Sequence, residues 1–348
     1  MNELFVKYPH RRYNPLTGTW ILVSPHRTKR PWLGQTEASF PEIGKSYDPD
    51  CYLCPGNIRA NGKKNLTYSK TFVFDNDFAA LLDDVPVFRS DDELFRYESV
   101  EGTCRVICYT PDHSKTMALM QEEEIVDVIY TWIEQYSELI KKYKWVQIFE
   151  NRGSMMGASN PHPHGQIWAM NKIPQLGELE YKNQFAYKEK KGSLLLLDYV
   201  KKELEFPEER VVLEGEYWVF VVPFWAVWPY ETLLLPKFKV SRISDLIESQ
   251  IKDLAKILKR MLIKYDNLFN TFFPYSMGWH NAPAGNEYDD FWTLHAHFYP
   301  PLLRSATIRK FMVGFEMLSE PQRDIIAEVA AQRLRSLDDV HFLKRSKN

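Results

Sequence analysis

The chain is poor in every feature that would carry it out of the cytosol or onto a charged polymer. Of its 348 residues only 4 are cysteine, too few for a disulfide framework to hold a body of this size. No apolar run approaches the ~20 residues that a bilayer demands. Runs such as Leu194–Leu197 and Leu233–Leu235 are a fraction of that. The first fifteen residues, MNELFVKYPHRRYNP, lack the apolar core of a secretory signal. Charge of one sign is missing too, since 46 acidic residues stand against 44 basic ones for a net −2. That balance argues against a nucleic-acid or membrane partner. A soluble, cytoplasmic protein is expected.

What is present is a chain long enough for two domains or one large α+β body, with aromatic residues at 14%. Apolar residues recur at helical spacing over Glu122–Tyr143 and over Ile243–Phe269. Ser319 reads as the N-cap of a third helix running to about Leu337, with Pro321 in its first turn. Between them lie short β-rich runs: Trp20–Val23, Thr71–Phe74, Arg105–Tyr109, Val146–Glu150, Gln166–Ala169, Tyr217–Val222, Thr232–Leu235 and Leu294–Tyr299. Their hairpin-sized connections predict an antiparallel α+β architecture rather than a doubly wound sheet. A faint repeat runs through it. In each half a strand pair, a helix, a strand and a His-x-His strand follow in the same order. The polar stretch near Tyr181–Gly192 is the natural break, giving units of about 1–176 and 183–348.

Histidine is where the chemistry gathers. Seven of the nine histidines stand in contexts that could carry it, above all Asn160-Pro-His-Pro-His-Gly-Gln166. On an extended chain His162, His164 and Gln166 share one face. Cys51-x-x-Cys54 has the spacing of a thiolate pair for a tetrahedral zinc ion, with His113 and one imidazole of the His-Pro-His pair as candidate partners. Cys104 and Cys108, four residues apart on a strand, are roughly 13 Å apart and cannot both reach one ion. A second metal site is suggested by His295-Ala-His297 with His280 and a carboxylate from Glu178-Leu-Glu180. The competing reading of His295 and His297 is hydrogen bonding within a polar seam.

Three further signals bear on phosphate and nucleotide. Arg27 and Arg30, with Lys29 between them, could clamp a diphosphate. Asp75-Asn76-Asp77 reads either as a D-x-D metal motif of sugar-nucleotide glycosyltransferases or as ribose recognition; the bland alternative is a strand-ending turn. An imidazole of the His-Pro-His pair not bound to metal would be a competent nucleophile toward phosphorus, with Gln166, Asn151 and Ser159 to receive the developing charge.

Taken in order, His10–Gly18, Ser24–Arg27 with Lys29–Pro31, Cys51-x-x-Cys54, Pro111–Ser114, Ser159–Gln166, Tyr275–His280 and Leu294–Ser305 resemble the galactose-1-phosphate uridylyltransferase family, a branch of the histidine-triad superfamily. The resemblance spans nearly the whole chain. It implies two tandem histidine-triad-like units sharing one antiparallel sheet with flanking helices. It implies a ping-pong reaction in which UMP passes from UDP-glucose to galactose 1-phosphate by way of a uridylyl-histidine at His164, with Gln166 beside it. Zinc would be held by Cys51, Cys54, His113 and His162, and iron or zinc by Glu180, His280, His295 and His297. Substrate contacts carry over to Arg27, Arg30, Asn76, Asp77, Asn151, Gly157, Ser159, Gln166, Lys310, Val313, Phe315, Glu316 and Gln322. A homodimer with shared active sites is implied as well. Two departures stand out: Ala158 replaces a cysteine frequent in relatives, and Phe315 replaces a sugar-contacting tyrosine. The rival readings are a related nucleotide phosphorylase or adenylyltransferase, a metal-dependent glycosyltransferase, and a zinc-stabilised binding module.

Overall fold

The computed structural model describes residues 3–29 and 44–345. Its centre is one antiparallel sheet of nine strands. From edge to edge they are Phe72–Asp75, Gly102–Cys108, His164–Met170, Trp145–Arg152, Tyr275–His280, His295–Tyr299, Thr232–Pro236, Trp218–Val221 and Val211–Glu214. All eight strands expected from the sequence are found, seven of them in this sheet and Trp20–Val23 in a smaller one. The two halves of the chain meet at the middle, where Tyr275 pairs with Arg152 and Trp279 with Ile148. On each side of that join a His-bearing strand is the next neighbour, so the expected two-unit arrangement is the one observed.

One face of the sheet is covered by the helices Glu122–Leu139 and Glu248–Phe269. The first begins where the Glu124 carboxylate accepts from the Gln121 backbone N–H, with Glu122, Glu123 and Glu124 at the positive end of the helix dipole. It buries Ile125, Ile129, Trp132 and Tyr136 against Ile148 and Ile167. The second buries Leu254, Leu258, Met261 and Tyr265 and ends at Asn270, whose φ of +50° stops the helix. It starts at Glu248 rather than Ile243, because Ile243–Asp245 forms a separate 3-10 turn.

Strand alternation then divides the labour. Along His164–Met170, Gly165, Ile167 and Ala169 point into this core, which leaves His164, Gln166 and Trp168 on the opposite face. That opposite face carries the loop around Cys51–Cys54 over one half of the sheet. Over the other half it carries the helix Leu195–Glu205, with Leu196 and Val200 against Val219, Leu233 and Leu235.

One further expectation is corrected. The Ser319–Leu337 helix is only Ala327–Arg335. Ahead of it Gln322–Arg323 pairs in parallel with Leu22–Val23, and the buried Arg323 side chain donates to the carbonyls of Ala226, Pro229 and Ile325. Two tertiary acceptors beside a local one for a single guanidinium override the local helix signal. The polar stretch Tyr181–Gly192 is the end of a helix, Gln175–Lys191, stopped by Gly192 at φ +73°. That helix has no apolar stripe because what it buries is polar, Glu180 and Gln184.

Candidate functional site

The first cluster is built by a knuckle. The Cys54 N–H donates to the Cys51 carbonyl and the Leu53 N–H points at the Cys51 sulfur, which turns both thiols the same way. His162 lies just before its strand rather than on it. Its N–H donates to Asn160 Oδ1, its Nε2 to the Thr110 carbonyl at 2.9 Å, and its Nδ1 stands 3.6 Å from the Cys54 sulfur. His113 Nδ1 is also 3.6 Å from that sulfur. Bonds of ~2.3 Å to sulfur and ~2.05 Å to nitrogen at a tetrahedral angle place the two ligand atoms about 3.6 Å apart, so the donor set fits a tetrahedral ion. The carbonyl on His162 Nε2 fixes the tautomer that presents Nδ1 to it. Burial pushes the Cys54 thiol up to about 11, so the thiolate a ligand must supply needs a cation beside it. Cys104 and Cys108 stay outside this donor set.

The second cluster is buried. Glu180, from the polar helix, puts Oε2 2.8 Å from His280 Nδ1 and 3.5 Å from His295 Nε2, and Oε1 3.6 Å from His297 Nε2. His295 Nδ1 donates to the Thr293 carbonyl, which leaves Nε2 for the centre. The ring nitrogens His295 Nε2 and His297 Nε2 are buried with no hydrogen-bond partner, a costly state that a cation would relieve. The polar-seam reading, in which these histidines merely bond their neighbours, leaves those atoms unsatisfied. Burial alone would raise the Glu180 carboxyl, yet His280 and His295 hold it well below the usual range. In both clusters all four donor atoms lie within 4.8 Å of one another.

His164 belongs to neither cluster. Its Nδ1 lies 2.7 Å from the His162 carbonyl. A carbonyl can only accept, so Nδ1 carries the proton and Nε2 keeps its lone pair. Burial lowers the pKa of this ring, which favours the neutral form. Behind it Gly165 has no room for a side chain, as an added Cβ would lie 2.2 Å from the Tyr109 hydroxyl. His164 and Ser159 line two adjoining clefts. One, of about 330 Å³, is bounded by Leu53, Phe74, Asn76, Asp77, Phe78 and Gln166. The other, of about 480 Å³, runs past Asn151, Arg152 and Ser154. Gln166 accepts from Trp168 Nε1 through its carbonyl oxygen, so its amide N–H groups remain to donate.

The chain matches the family models described as galactose-1-phosphate uridyl transferase, N-terminal domain, over residues 3–174 and C-terminal domain over 180–346. A galactose-1-phosphate uridylyltransferase of Haemophilus influenzae is 57% identical over 350 residues, covering 100% of both chains. This chain belongs to the galactose-1-phosphate uridylyltransferase family. The relative from Rattus norvegicus is 52% identical over 98% of this chain and 91% of its own length. Among solved structures, a uridylyltransferase superposes with a TM-score of 0.73 at 26% identity, covering 94% of this chain and 97% of the other. An ADP-glucose phosphorylase from Arabidopsis thaliana shares the fold, with a TM-score of 0.75 at 22% identity over 95% and 99% of the two chains. The chain is accordingly a nucleotidyltransferase.

The remaining expected contacts of this uridylyltransferase-family chain collect elsewhere. Arg27, Lys310, Val313, Phe315, Glu316 and Gln322 line a separate cleft of about 540 Å³, which shares no lining residue with the two beside His164. There Lys310 pairs with Glu316, and Gln322 donates to Asp324. Gly157, at φ +78°, ends the short turn before Ser159, and Arg30 lies outside the described residues. The D-x-D motif comes apart. Asp75 is exposed and faces Arg105, whereas Asp77 is enclosed by Arg59 and Asn61, so the two carboxylates do not form one metal site.

Sequence reading missed Glu150. It is buried on the 480 Å³ cleft, accepts from the Tyr275 hydroxyl at 3.1 Å, and is raised by burial to about 7. Its folded pKa exceeds the unfolded value of ~4.3, so its contribution to stability is fully present below that value and is lost as pH rises toward 7. Between pH 5.5 and 7.5, wild type should lose about 2 kcal/mol more unfolding free energy than Glu150→Gln, from ~1.4 kcal/mol per pH unit up to the folded pKa. Urea titrations at the two pH values measure this, and parallel losses in both proteins would refute it.

Proposed function

We propose that the chain moves UMP from UDP-glucose to galactose 1-phosphate in two displacements at His164, as a step of galactose utilisation. The observation that carries this reading is the His164 Nδ1 bond to the His162 carbonyl, which aims an unprotonated Nε2 at the junction of two clefts. In the first displacement Nε2 forms a bond to the α-phosphorus as the bond to the glucose 1-phosphate oxygen breaks. Glucose 1-phosphate leaves as an anion and no proton transfer is needed. In the second, an oxygen of the galactose 1-phosphate phosphate attacks the same phosphorus and the imidazole leaves. Gln166 and Ser159 donate to the non-bridging oxygens. Asn76 and Asp77 hold the nucleoside in the smaller cleft.

On this reading zinc is held by Cys51, Cys54, His113 and His162, and iron or zinc by Glu180, His280, His295 and His297. Each ion would fix the protein around the reacting phosphate, the first by anchoring the strand that starts at His164. The enzyme is cytoplasmic and works as a homodimer. The arginine and sugar contacts line a cleft apart from His164, so each site draws them from the partner subunit.

The reading is tested by incubating the enzyme with UDP-glucose labelled in the uridylyl phosphate and then denaturing it. Acid-labile, base-stable label should remain on the protein; its absence from active enzyme would remove the covalent step. Sharing between subunits is tested by co-expressing His164→Gly with Lys310→Ala, each inactive alone. Half the dimers are then mixed and carry one intact site of two, so activity returns to roughly a quarter of wild type. No recovery would place both residues in the same chain's site.

A further inference from the structure

We propose that Arg59 and Asn61 are positioning residues that fix the Asp77 carboxylate for the ribose of the nucleotide, and that they tie the nucleoside cleft to the thiol knuckle. The proposal rests on the ribose-binding reading of Asp77 given above. The Arg59 side chain is 9% exposed, its guanidinium lies 4.2 Å over the Phe74 ring, and its Nη1 is 3.4 Å from Asp77 Oδ1. Asn61 Nδ2 donates to that same oxygen at 2.7 Å, and Asn61 Oδ1 accepts from the Lys63 N–H, so the amide cannot turn away. The Asn61 hydrogen bond and the Arg59 charge both meet Oδ1, which leaves Oδ2 to accept from a sugar hydroxyl. Arg59 Nε and Nη1 are buried without a hydrogen-bond acceptor. The guanidinium is therefore kept in place by stacking on Phe74 and by the charge of Asp77.

Both residues belong to a small hairpin whose N–H of Arg59 donates to the Lys63 carbonyl and whose turn passes through Gly62 at φ +82°. Its two legs are stitched to the knuckle. Asn57 Nδ2 donates to the carbonyls of Asp48 and Cys51, and Asn65 Nδ2 to those of Tyr52 and Cys54. Leu53 from the knuckle and Ala60 from the hairpin line the cleft directly. One short hairpin thus joins the backbone of the thiol knuckle, at Asn57 and Asn65, to the carboxylate facing the nucleoside, at Asn61.

The test compares UDP-glucose with its 2′-deoxyribose analogue in wild type, Arg59→Met and Asn61→Ala, with metal content measured in each. Wild type should prefer the ribose by roughly 10- to 100-fold in kcat/KM, the range for a hydrogen bond to a charged group. In both variants KM for UDP-glucose should rise about tenfold with kcat within about threefold, and the preference should shrink severalfold. A merely structural defect would lower the active fraction and leave the preference intact. Should Arg59→Met fail to fold, Asn61→Ala, on the exposed edge, decides alone. Wild type that ignores the 2′-hydroxyl overturns the ribose reading itself. Wild type that discriminates, with full discrimination kept in the folded variants, overturns the positioning role and leaves that reading standing.

Discussion

His164→Gly is expected to lower the turnover of UDP-glucose and galactose 1-phosphate by on the order of 10⁴-fold or more, with no label retained on the denatured protein. The size follows from what is removed. Nε2 is the unprotonated imidazole nitrogen at the cleft junction; Ser159 is a weaker, neutral hydroxyl, and the Gln166 carbonyl oxygen already accepts from Trp168. The substitution should cost little stability, because His164 is half-buried at a strand start and keeps its backbone pairing with Cys108. Nucleotide affinity should also survive, since Asn76 and Asp77 are untouched. The measurement is steady-state turnover beside equilibrium binding of UDP-glucose. A variant that binds but does not turn over fits the role; one that turns over within tenfold of wild type does not.

Cys54→Ala is expected to empty the first cluster and lower the melting temperature by about 10 °C. Loss of a structural metal belongs to the few changes that exceed ~4 kcal/mol, and each kcal/mol moves the midpoint of a chain this large by ~2–4 °C. The effect should spread, because Cys54 touches both His113 and His162 and its carbonyl accepts from Asn65. Cys104→Ala is the control. That thiol is equally buried but belongs to no donor group, so it should cost only ~1 kcal/mol and leave metal content unchanged. Metal analysis and thermal unfolding of the two variants decide the matter; equal metal loss from both would sink the assignment.

The parts legible in the sequence were those written in rare residue types. Cysteine and histidine at short spacings announced both clusters, and alternation in the β runs announced the sheet. What escaped was settled by partners far away in sequence. The helix Gln175–Lys191 has no apolar period, because its buried residues, Glu180 and Gln184, face His280 and the Thr293 backbone. Gln322–Arg323 is a strand because Leu22 and Val23 pair with it. Arg59 stands in no sequence motif, and only Phe74 and Asp77, which enclose it, mark it out. Even the His-Pro-His pair needed Thr110 and Cys54 to show which imidazole turns inward.

The central join of the sheet has a consequence for how the chain can be made. Trp145–Arg152 and Tyr275–His280 pair with each other across a separation of more than a hundred residues. A ribosome releasing the first half alone would therefore expose a bare strand edge, ready to pair with any similar edge nearby. Two such halves could also find each other, edge to edge, in a mimic of the finished molecule. The second half does not merely add a metal cluster and a cleft. It also covers the strand edge that the first half by itself would leave bare.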